Sequence, residues 1–286
     1  MQTRPLSVTA RFLGWSRRNV FVAACAAGFG LIVLLALLAP WLGLADPAQI
    51  DFSKKLLPPG TSHWFGTDGL GRDIFSGVLF GARVSLLVAL GVVAIATVIG
   101  IPMGLIAGYA GGWIDSLFMR LSDVFLAFPP LLLPITLSAL LGPGLLNAMF
   151  AVAISWFPWY ARIVRSTVLT VKSDLYVLSA RAIGTDPASI ALRHVLPNSL
   201  SPVVVQASLD FGFAILTTAS LSFIGMGAVP PTVEWGLMVA SSRSVFLEYW
   251  WTAMFPGMAI FLTVFFANVM VDGIRDSLDP KLVRQP

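Results

Sequence analysis

The chain has 286 residues, of which 57% are hydrophobic and 11% charged, and its formal net charge is +4. Soluble domains carry about 25% charged residues, so this composition excludes a soluble globular protein and predicts a chain that crosses a membrane several times. The apolar runs are continuous and lack the two-residue alternation of a membrane β-barrel. We therefore expect an all-α, polytopic membrane protein.

The cysteine and histidine content argues against a metal or redox centre. The one cysteine, Cys25, lies inside an apolar run, which excludes a disulfide framework and a cysteine-based metal cluster. The two histidines, His63 and His194, are far apart in sequence, and we expect them on opposite sides of the membrane. We therefore predict no metal site and no cofactor in this chain. Because basic residues of a membrane protein report its orientation first, we do not expect nucleic-acid binding.

Six apolar runs are long enough to cross a hydrocarbon core of about 30 Å as helices. The predicted spans are approximately Val20–Leu42, Val84–Ala107, Leu121–Leu141, Leu145–Val168, Ser199–Ile224 and Trp251–Val271. The first run is too long for a signal peptide and lacks a small-x-small cleavage site, so we expect it to be retained as a first span or a signal-anchor. The remaining domains predicted are an N-terminal tail at 1–19, an outer loop at 43–83, a transmembrane core at 84–271 with a long connection at 169–198, and a C-terminal tail at 272–286.

The distribution of basic residues predicts the orientation. Thirteen of the 18 lysines and arginines lie on the side that carries both tails and the 169–198 connection. By the positive-inside rule, this side is cytoplasmic. An even number of spans also requires both termini on one side, so the two arguments agree.

Gly100, Gly104 and Gly108 follow one another at four-residue spacing in the second span. We call them the glycine ridge, because such spacing lets a second helix approach closely. Glycine is common in membrane helices generally, which is the alternative explanation. Pro129 and Pro130 in the third span each remove a backbone donor, and we expect a kink there.

Asp210 lies near the middle of the fifth span. A carboxylate at that depth is costly unless it faces water or a polar partner. One interpretation is that Asp210 lines a substrate path through the membrane. The other is that it makes a hydrogen bond between helices or is protonated, and the sequence leaves both open.

The segment from Tyr176 to Asn198 is polar and basic, although both flanking runs are apolar. Gly184 can end a first short helix by adopting a left-handed conformation. Asp186 is placed to cap a second helix with Pro187 at its first position. This second helix extends to about Arg193, is ended by Pro197 in our prediction, and is too short to be stable alone. We therefore expect it to dock on a partner protein.

This segment resembles the EAA loop of ABC importer permeases, whose pattern is Glu-Ala-Ala, three residues, Gly, nine residues, Ile, one residue and Leu-Pro. Aligned on Gly184, the chain matches the pattern at Ala180, Leu196 and Pro197. Leu178, Ser179 and His194 stand where the pattern has Glu, Ala and Ile. The resemblance implies an ATPase-coupling loop formed by Leu178, Ser179, Ala180, Arg181, Gly184, Asp186, Pro187, Ile190, Arg193, His194, Leu196 and Pro197.

Further motifs extend the resemblance over nearly the whole chain from His63 onward. In order they are HWFGTDGLGRD (63–73), GARVSL (81–86), AGYAGG (107–112), LAFP (126–129), LGPG (141–144), YARIVR (160–165), RHVLPN (193–198), LSFIG (221–225) and DGIRDSLDP (272–280). Together they are similar to the second permease subunit of the dipeptide, oligopeptide and nickel branch of these importers. The family implies the type I ABC importer permease fold.

The resemblance also implies the partners. A homologous permease would form the pore with this chain, two ABC ATPases holding ATP and Mg would dock from the cytoplasm, and an extracytoplasmic solute-binding protein would deliver the substrate. The membrane would be the cell (inner) membrane of a bacterium or archaeon. This chain has no GxxxxGK[ST] phosphate loop, so we expect hydrolysis in the partners and no catalytic residue here.

Several alternatives stay open at this point. We expect import of di- or oligopeptides, with nickel, a metal chelate or glutathione as the alternative cargo. Outside the class of importer permeases, the alternative hypotheses are a gated channel and a membrane scaffold. A channel predicts a repeated filter or a ring of charges, and neither pattern occurs in the sequence.

Overall fold

The structure is a computed structural model that describes residues 20–278. Its helices are α1 (Val20–Leu38), α2 (Ile74–Ala110), α3 (Gly112–Leu126), α4 (Leu132–Leu141), α5 (Leu145–Val171), α6 (Leu175–Ala182), α7 (Pro187–Ile190), α8 (Leu196–Ser199), α9 (Ser201–Phe223), α10 (Trp235–Ser241) and α11 (Trp251–Leu278). Short 3₁₀ turns lie at Ala39–Trp41 and Phe52–Lys54, and a π-helical turn lies at Ala191–Val195. The predicted N-terminal tail, 1–19, lies outside the described residues.

Four of the described helical segments are long and apolar enough to cross a membrane by length and composition. They are Val20–Trp41, Ile74–Ala110, Ser201–Phe223 and Trp251–Val271, which correspond to the first, second, fifth and sixth predicted spans. The fourth predicted span is the 27-residue helix α5, whose second half carries Arg162 and Arg165. These charges make α5 less apolar than the other long helices.

The third predicted span, Leu121–Leu141, is not one continuous helix. Helix α3 ends at Leu126 and α4 begins only at Leu132. Pro129 and Pro130 explain the break, since neither residue has a backbone N–H and each disfavours helical geometry in the residue before it. The chain therefore turns between two separate helices here, whereas the sequence predicted a kink within one helix.

The predicted outer loop is also too long, because α2 starts at Ile74 rather than near Val84. The Asp73 side chain accepts a hydrogen bond from the Ser76 backbone N–H at 2.8 Å and so caps the first turn. Gly81 lies in this first part of α2 and faces the Trp235 ring, so α10 can pack closely there. The helix therefore begins at the Asp73 cap, and its first turns pack against α10.

The sixth predicted span, Trp251–Val271, coincides with a candidate membrane span of the structure, and its helix continues beyond that span. Helix α11 continues to Leu278, so residues 272–278 of the predicted C-terminal tail are helical. The remainder of that tail, 279–286, lies outside the described residues. A helix that leaves an apolar span needs no terminator at the membrane boundary, since each added residue contributes one further backbone hydrogen bond.

The centre of the bundle is the contact between α2 and α5. The glycine ridge of α2 lies against Tyr160, Ala161, Val164 and Val168 of α5. Because glycine has no side chain, the two backbones approach closely, and small residues have this role at many membrane helix interfaces. Apolar side chains from α2, α5 and α9 complete the core around this contact.

A buried carboxylate joins the α9–α11 connection to α2. Glu234 accepts hydrogen bonds from the backbone N–H groups of Gly236 and Leu237, at 2.8 and 2.9 Å, and thereby caps α10. The Trp235 ring next to it donates to the Val78 carbonyl at 2.9 Å. A buried charge is tolerated when it is hydrogen-bonded in this way, so this contact fixes α10 against α2.

Candidate coupling segment

The connection between α5 and α9, residues 172–200, is called here the α5–α9 connector. Its first helix, α6, ends at Ala182 and is followed by Gly184, whose φ is +82°. The Thr185 N–H donates to the Ala180 carbonyl and the Gly184 N–H to the Arg181 carbonyl, each at 3.1 Å. These two bonds form a Schellman motif, and they confirm the left-handed glycine predicted from the sequence.

The second helix of the connector begins as predicted and ends differently. The Asp186 side chain accepts from the Ser189 N–H at 3.0 Å, with Pro187 in the first turn. The prediction that Pro197 ends this helix is wrong. The backbone stays helical through the π-helical turn and through α8, which contains Pro197. In the π-helical turn the Leu196 N–H donates to the Ala191 carbonyl, five residues back, and this local change of hydrogen-bond spacing accommodates the missing N–H of Pro197.

One face of the connector is anchored on the bundle. The buried residues of this face are Val177, Ala180, Ile190, Ala191 and Val195, and they share a core cluster with Tyr160, Val164 and Val168 of α5 and Val203 of α9. The connector is therefore attached to both α5 and α9.

The other face of the connector is exposed and carries most of the residues implied by the family resemblance. The exposed ones are Leu178, Ser179, Arg181, Gly184, Asp186, Pro187, Arg193 and Pro197, whereas Ala180 and Ile190 are buried and His194 and Leu196 half-buried. Leu175, Ile183 and Leu192 are exposed on it as well, Ile183 to 83% of its surface. Exposed apolar side chains next to arginines are typical of a surface that binds another protein.

Three polar contacts fix the end of α5 that leads into the connector. Lys172 donates from Nζ to the Gly108 carbonyl at the end of α2, at 2.7 Å. Arg165 is paired with Asp115 of α3, with Nη2 and Oδ2 2.6 Å apart, and this guanidinium lowers the pKa of the Asp115 carboxyl. Arg162 is paired with Asp123 of α3.

Sequence reasoning used these basic residues only to orient the chain. The three-residue spacing of Arg162 and Arg165 places both on one side of α5, which is a local signal. Their acidic partners, however, are 39 and 50 residues away along the chain. The pairs could therefore not be found without the packing of α3 on α5.

Asp210 of α9 makes a contact between helices. Its carboxylate accepts hydrogen bonds from the Tyr160 hydroxyl at 2.6 Å and from the Gln206 side chain at 2.8 Å. These bonds supply the polar partner that the second interpretation of Asp210 requires. The carboxylate is half-buried, so a role in a substrate path stays a prediction.

Residues 100–284 match the protein family described as the binding-protein-dependent transport system inner membrane component. The chain belongs to this family. Its membership confirms the importer permease family expected from the motifs, and it makes this chain a membrane component of an inner-membrane transport system that works with a binding protein. Among the residues whose side chains the structure describes, no group of three or more His, Cys, Asp or Glu side chains could hold a metal ion.

Several curated members of the family are similar over most of their length. The chain is 49% identical to the probable D,D-dipeptide transport system permease protein DdpC of Escherichia coli (strain K12), over 88% of this chain and 84% of the relative. It is 46% identical to the dipeptide transport system permease protein DppC of Alkalihalophilus pseudofirmus, over 87% and 82%. It is 44% identical to the glutathione transport system permease protein GsiD of Pectobacterium atrosepticum, over 95% and 89%.

A solved structure supports the fold. A chain of the MetNI methionine ABC transporter, in inward-facing conformations, superposes with a TM-score of 0.57 at 17% sequence identity, and the match covers 71% of this chain and 96% of that chain. The predicted fold class, an all-α ABC importer permease, is thereby confirmed.

Proposed function

We propose that this chain is the transmembrane permease subunit of an ATP-driven importer of di- and oligopeptides, and that it forms half of the translocation pathway. Permeases of dipeptide systems among its relatives support the peptide cargo. A homologous permease provides the other half of the pathway. Two ABC ATPases with ATP and Mg drive the transport, and an extracytoplasmic binding protein delivers the peptide.

The observation that carries this proposal is the two-faced α5–α9 connector. Its inner face is packed on α5 and α9, and its outer face offers exposed apolar side chains and arginines. A partner that binds α6 and α7, and moves, therefore moves the ends of α5 and α9 as well. In the proposed cycle, ATP binding brings the two ATPases together, the connectors follow, and the bundle changes from inward-open to outward-open. Hydrolysis resets it.

The proposal requires the connector to lie on the cytoplasmic side, since ATP is available there. The excess of lysine and arginine on this side of the chain supports that orientation. In the same orientation, the segment between α1 and α2 faces outward, toward the binding protein.

A second cargo has support from specific relatives. Glutathione permeases are 44% and 45% identical to this chain, and glutathione is itself a short peptide with charged ends. Nickel or a metal chelate is the remaining alternative from the sequence motifs. An uptake panel in a strain that lacks the transporter decides between dipeptides, longer peptides, glutathione and nickel. ATP-independent uptake of any of these would instead favour a gated channel.

The docking role is tested by co-purifying the chain with its cognate ATPase. Ile183→Asp places a charge in the exposed apolar patch of the connector, and we expect it to weaken ATPase association by about 2 kcal/mol, the lower bound of an interface hot spot. Leu247→Asp is the matched control, since Leu247 is 90% exposed in the α10–α11 connection. Equal ATPase recovery from both variants would contradict the proposal.

A further inference from the structure

A groove of about 720 Å³ lies between α1, α2, α9 and α11, and we call it the membrane groove. These four helices contain the segments that are long and apolar enough to cross a membrane, and every lining residue lies within those segments. Leu87 and Leu90 of α2 line the groove and are 64% and 57% exposed, so it is open on one side. The membrane groove therefore belongs to the membrane-spanning part of the chain.

The walls of the membrane groove are apolar except at two residues. Among the described residues that line it, Ser208 and Arg83 alone have polar side chains. The Ser208 hydroxyl donates to the Val204 carbonyl of its own helix at 2.8 Å, so its donor is already used. Phe29 of α1 and Phe211 of α9 lie edge to face in the wall, with ring centroids 6.0 Å apart. The result is an apolar groove with a single charged group.

Arg83 lies at one end of the apolar run of α2. No charged residue occurs between Arg83 and Asp115, so Arg83 bounds this run on the side where α2 starts. Its side chain is exposed and forms no ion pair with the residues that the structure describes. Val93, the last α2 residue in the groove wall, lies ten residues further on, or roughly 15 Å along the helix. This length is about half of a 30 Å hydrocarbon core, the depth of one leaflet.

A ligand that complements this geometry has an anionic group at one end and an apolar chain about one leaflet long. A phospholipid has both, since its phosphate lies at the membrane surface and its acyl chains fill one leaflet. Arginine suits the phosphate because its guanidinium donates two parallel hydrogen bonds. An arginine near the end of a span also reaches the headgroups by extending its side chain along the helix. Basic pockets between membrane helices bind lipid headgroups in this way.

We propose that the membrane groove binds one anionic phospholipid of the leaflet next to the start of α2, with its phosphate on Arg83 and an acyl chain between α1 and α9. An anionic headgroup binds better than a zwitterionic one, because a headgroup ammonium competes with Arg83 for the phosphate. The acyl chain packs on Leu87, Leu90 and Phe211. The bound lipid connects α1 to α9, the helix that follows the α5–α9 connector, and stabilises this side of the bundle.

The contact with Arg83 is tested by titrating phosphatidylglycerol into the purified full-length chain in a neutral detergent, with bound lipid counted by native mass spectrometry. We expect Arg83→Gln to weaken this binding at least about tenfold, because it removes a charged hydrogen-bond donor. Arg120→Gln is the matched control, since Arg120 is an exposed arginine outside the groove, and we expect it to bind like the parent chain. Equal affinity of the two variants overturns the proposal. So does phosphatidylcholine binding to the parent chain as tightly as phosphatidylglycerol.

The apolar part of the site is tested by filling it. Leu90→Trp adds a ring in the wall of the groove, and we expect phosphatidylglycerol to bind about tenfold more weakly because the acyl chain is displaced. Val98→Trp is the control, since Val98 is 70% exposed on the same helix but outside the groove. The melting temperatures of the lipid-free variants show whether both fold. If Leu90→Trp does not fold, Leu87→Trp at the more exposed position replaces it, and unchanged affinity in the folded variant overturns the proposal.

The assembled transporter is tested with a photoreactive phosphatidylglycerol. We expect the label in peptides of α1 and α9 in the parent complex and a loss of this label in Arg83→Gln. Labelling of the isolated chain but not of the complex would show that the second permease covers the groove, and it would overturn the proposal. The inference depends neither on the cargo nor on the ATPases. The proposed function is overturned separately, by a lack of ATP-dependent peptide uptake, whether or not lipid occupies the membrane groove.

Discussion

Gly104 of α2 lies directly against the backbone carbonyl of Ala161 in α5. A Cβ placed on Gly104 would also stand only 2.8 Å from the Cβ of Val164. Neither neighbour is the flexible end of a long side chain, so neither can move aside cheaply. This contact fixes α5, and α5 leads directly into the α5–α9 connector.

Gly104→Ala tests this contact. We expect it to lower the free energy of unfolding by about 1 to 3 kcal/mol, the typical cost of overpacking, which thermal unfolding of the purified chain in detergent measures. Gly30→Ala in α1 is the control, because a Cβ there meets nothing within 4 Å. We expect the control to be neutral or slightly stabilising, since alanine favours helix more than glycine does. Equal stability of the two variants would contradict the prediction, because it would show that α2 and α5 can move apart at Gly104 without a cost in free energy.

The left-handed glycine of the connector gives a second prediction. Gly184→Val forces a β-branched residue to φ +82°, and we expect a cost of roughly 1 to 2 kcal/mol and a loss of peptide uptake relative to ATP hydrolysis. Gly184→Asn is the matched variant, because asparagine tolerates this conformation better. The ratio of uptake to hydrolysis in proteoliposomes is the measurement. A valine variant that couples as well as the asparagine variant would contradict a rigid connector.

The contrast between Gly184 and Pro197 shows what the sequence can predict. Gly184 and Asp186 act through hydrogen bonds to residues within five positions, so their roles could be inferred from the chain alone. Pro197 could not be placed correctly from the chain alone, because the π-helical turn that lets the helix continue past it has no signal in the sequence.

Contacts between residues far apart in the sequence could not be predicted, for a different reason. The packing of Gly81 in α2 against Trp235, more than 150 residues later, is not reported by hydropathy. The ion pairs of Arg162 and Arg165 likewise depend on the fold of α3 across α5. In each case a local pattern was present, but its partner was not near in sequence.

Asp210 has two interpretations that a pair of variants separates. If Asp210 lines the substrate path, Asp210→Asn changes uptake kinetics, whereas Tyr160→Phe, which removes only the hydrogen-bond donor, changes them little. If Asp210 only connects helices, both variants lower stability by about 1 kcal/mol and uptake follows stability. Uptake rates and melting temperatures of the assembled transporter are measured together. An unaltered uptake rate in Asp210→Asn would show that Asp210 has only the structural role.

The Lys172 contact with the end of α2 gives a fourth prediction. Its ammonium group donates to the Gly108 carbonyl, one of the last helical carbonyls of α2. Lys172→Met keeps the length of the side chain and removes the donor, and we expect about 1 kcal/mol lower stability with weaker coupling of ATP hydrolysis to uptake. Lys55→Met, in the exposed segment between α1 and α2, is the control. If both variants couple equally well, the contact is not part of the coupling path.

The most direct test is the side of the membrane on which the α5–α9 connector lies. In the Cys25→Ala chain, Ser179→Cys places a thiol on the exposed face of α6, and Ser62→Cys places one in the exposed segment between α1 and α2. An impermeant maleimide is applied to intact spheroplasts and then to permeabilised ones. The account predicts that Ser62→Cys reacts in both and Ser179→Cys only after permeabilisation. Labelling of Ser179→Cys in intact spheroplasts would contradict it, because no ATPase could then reach the connector.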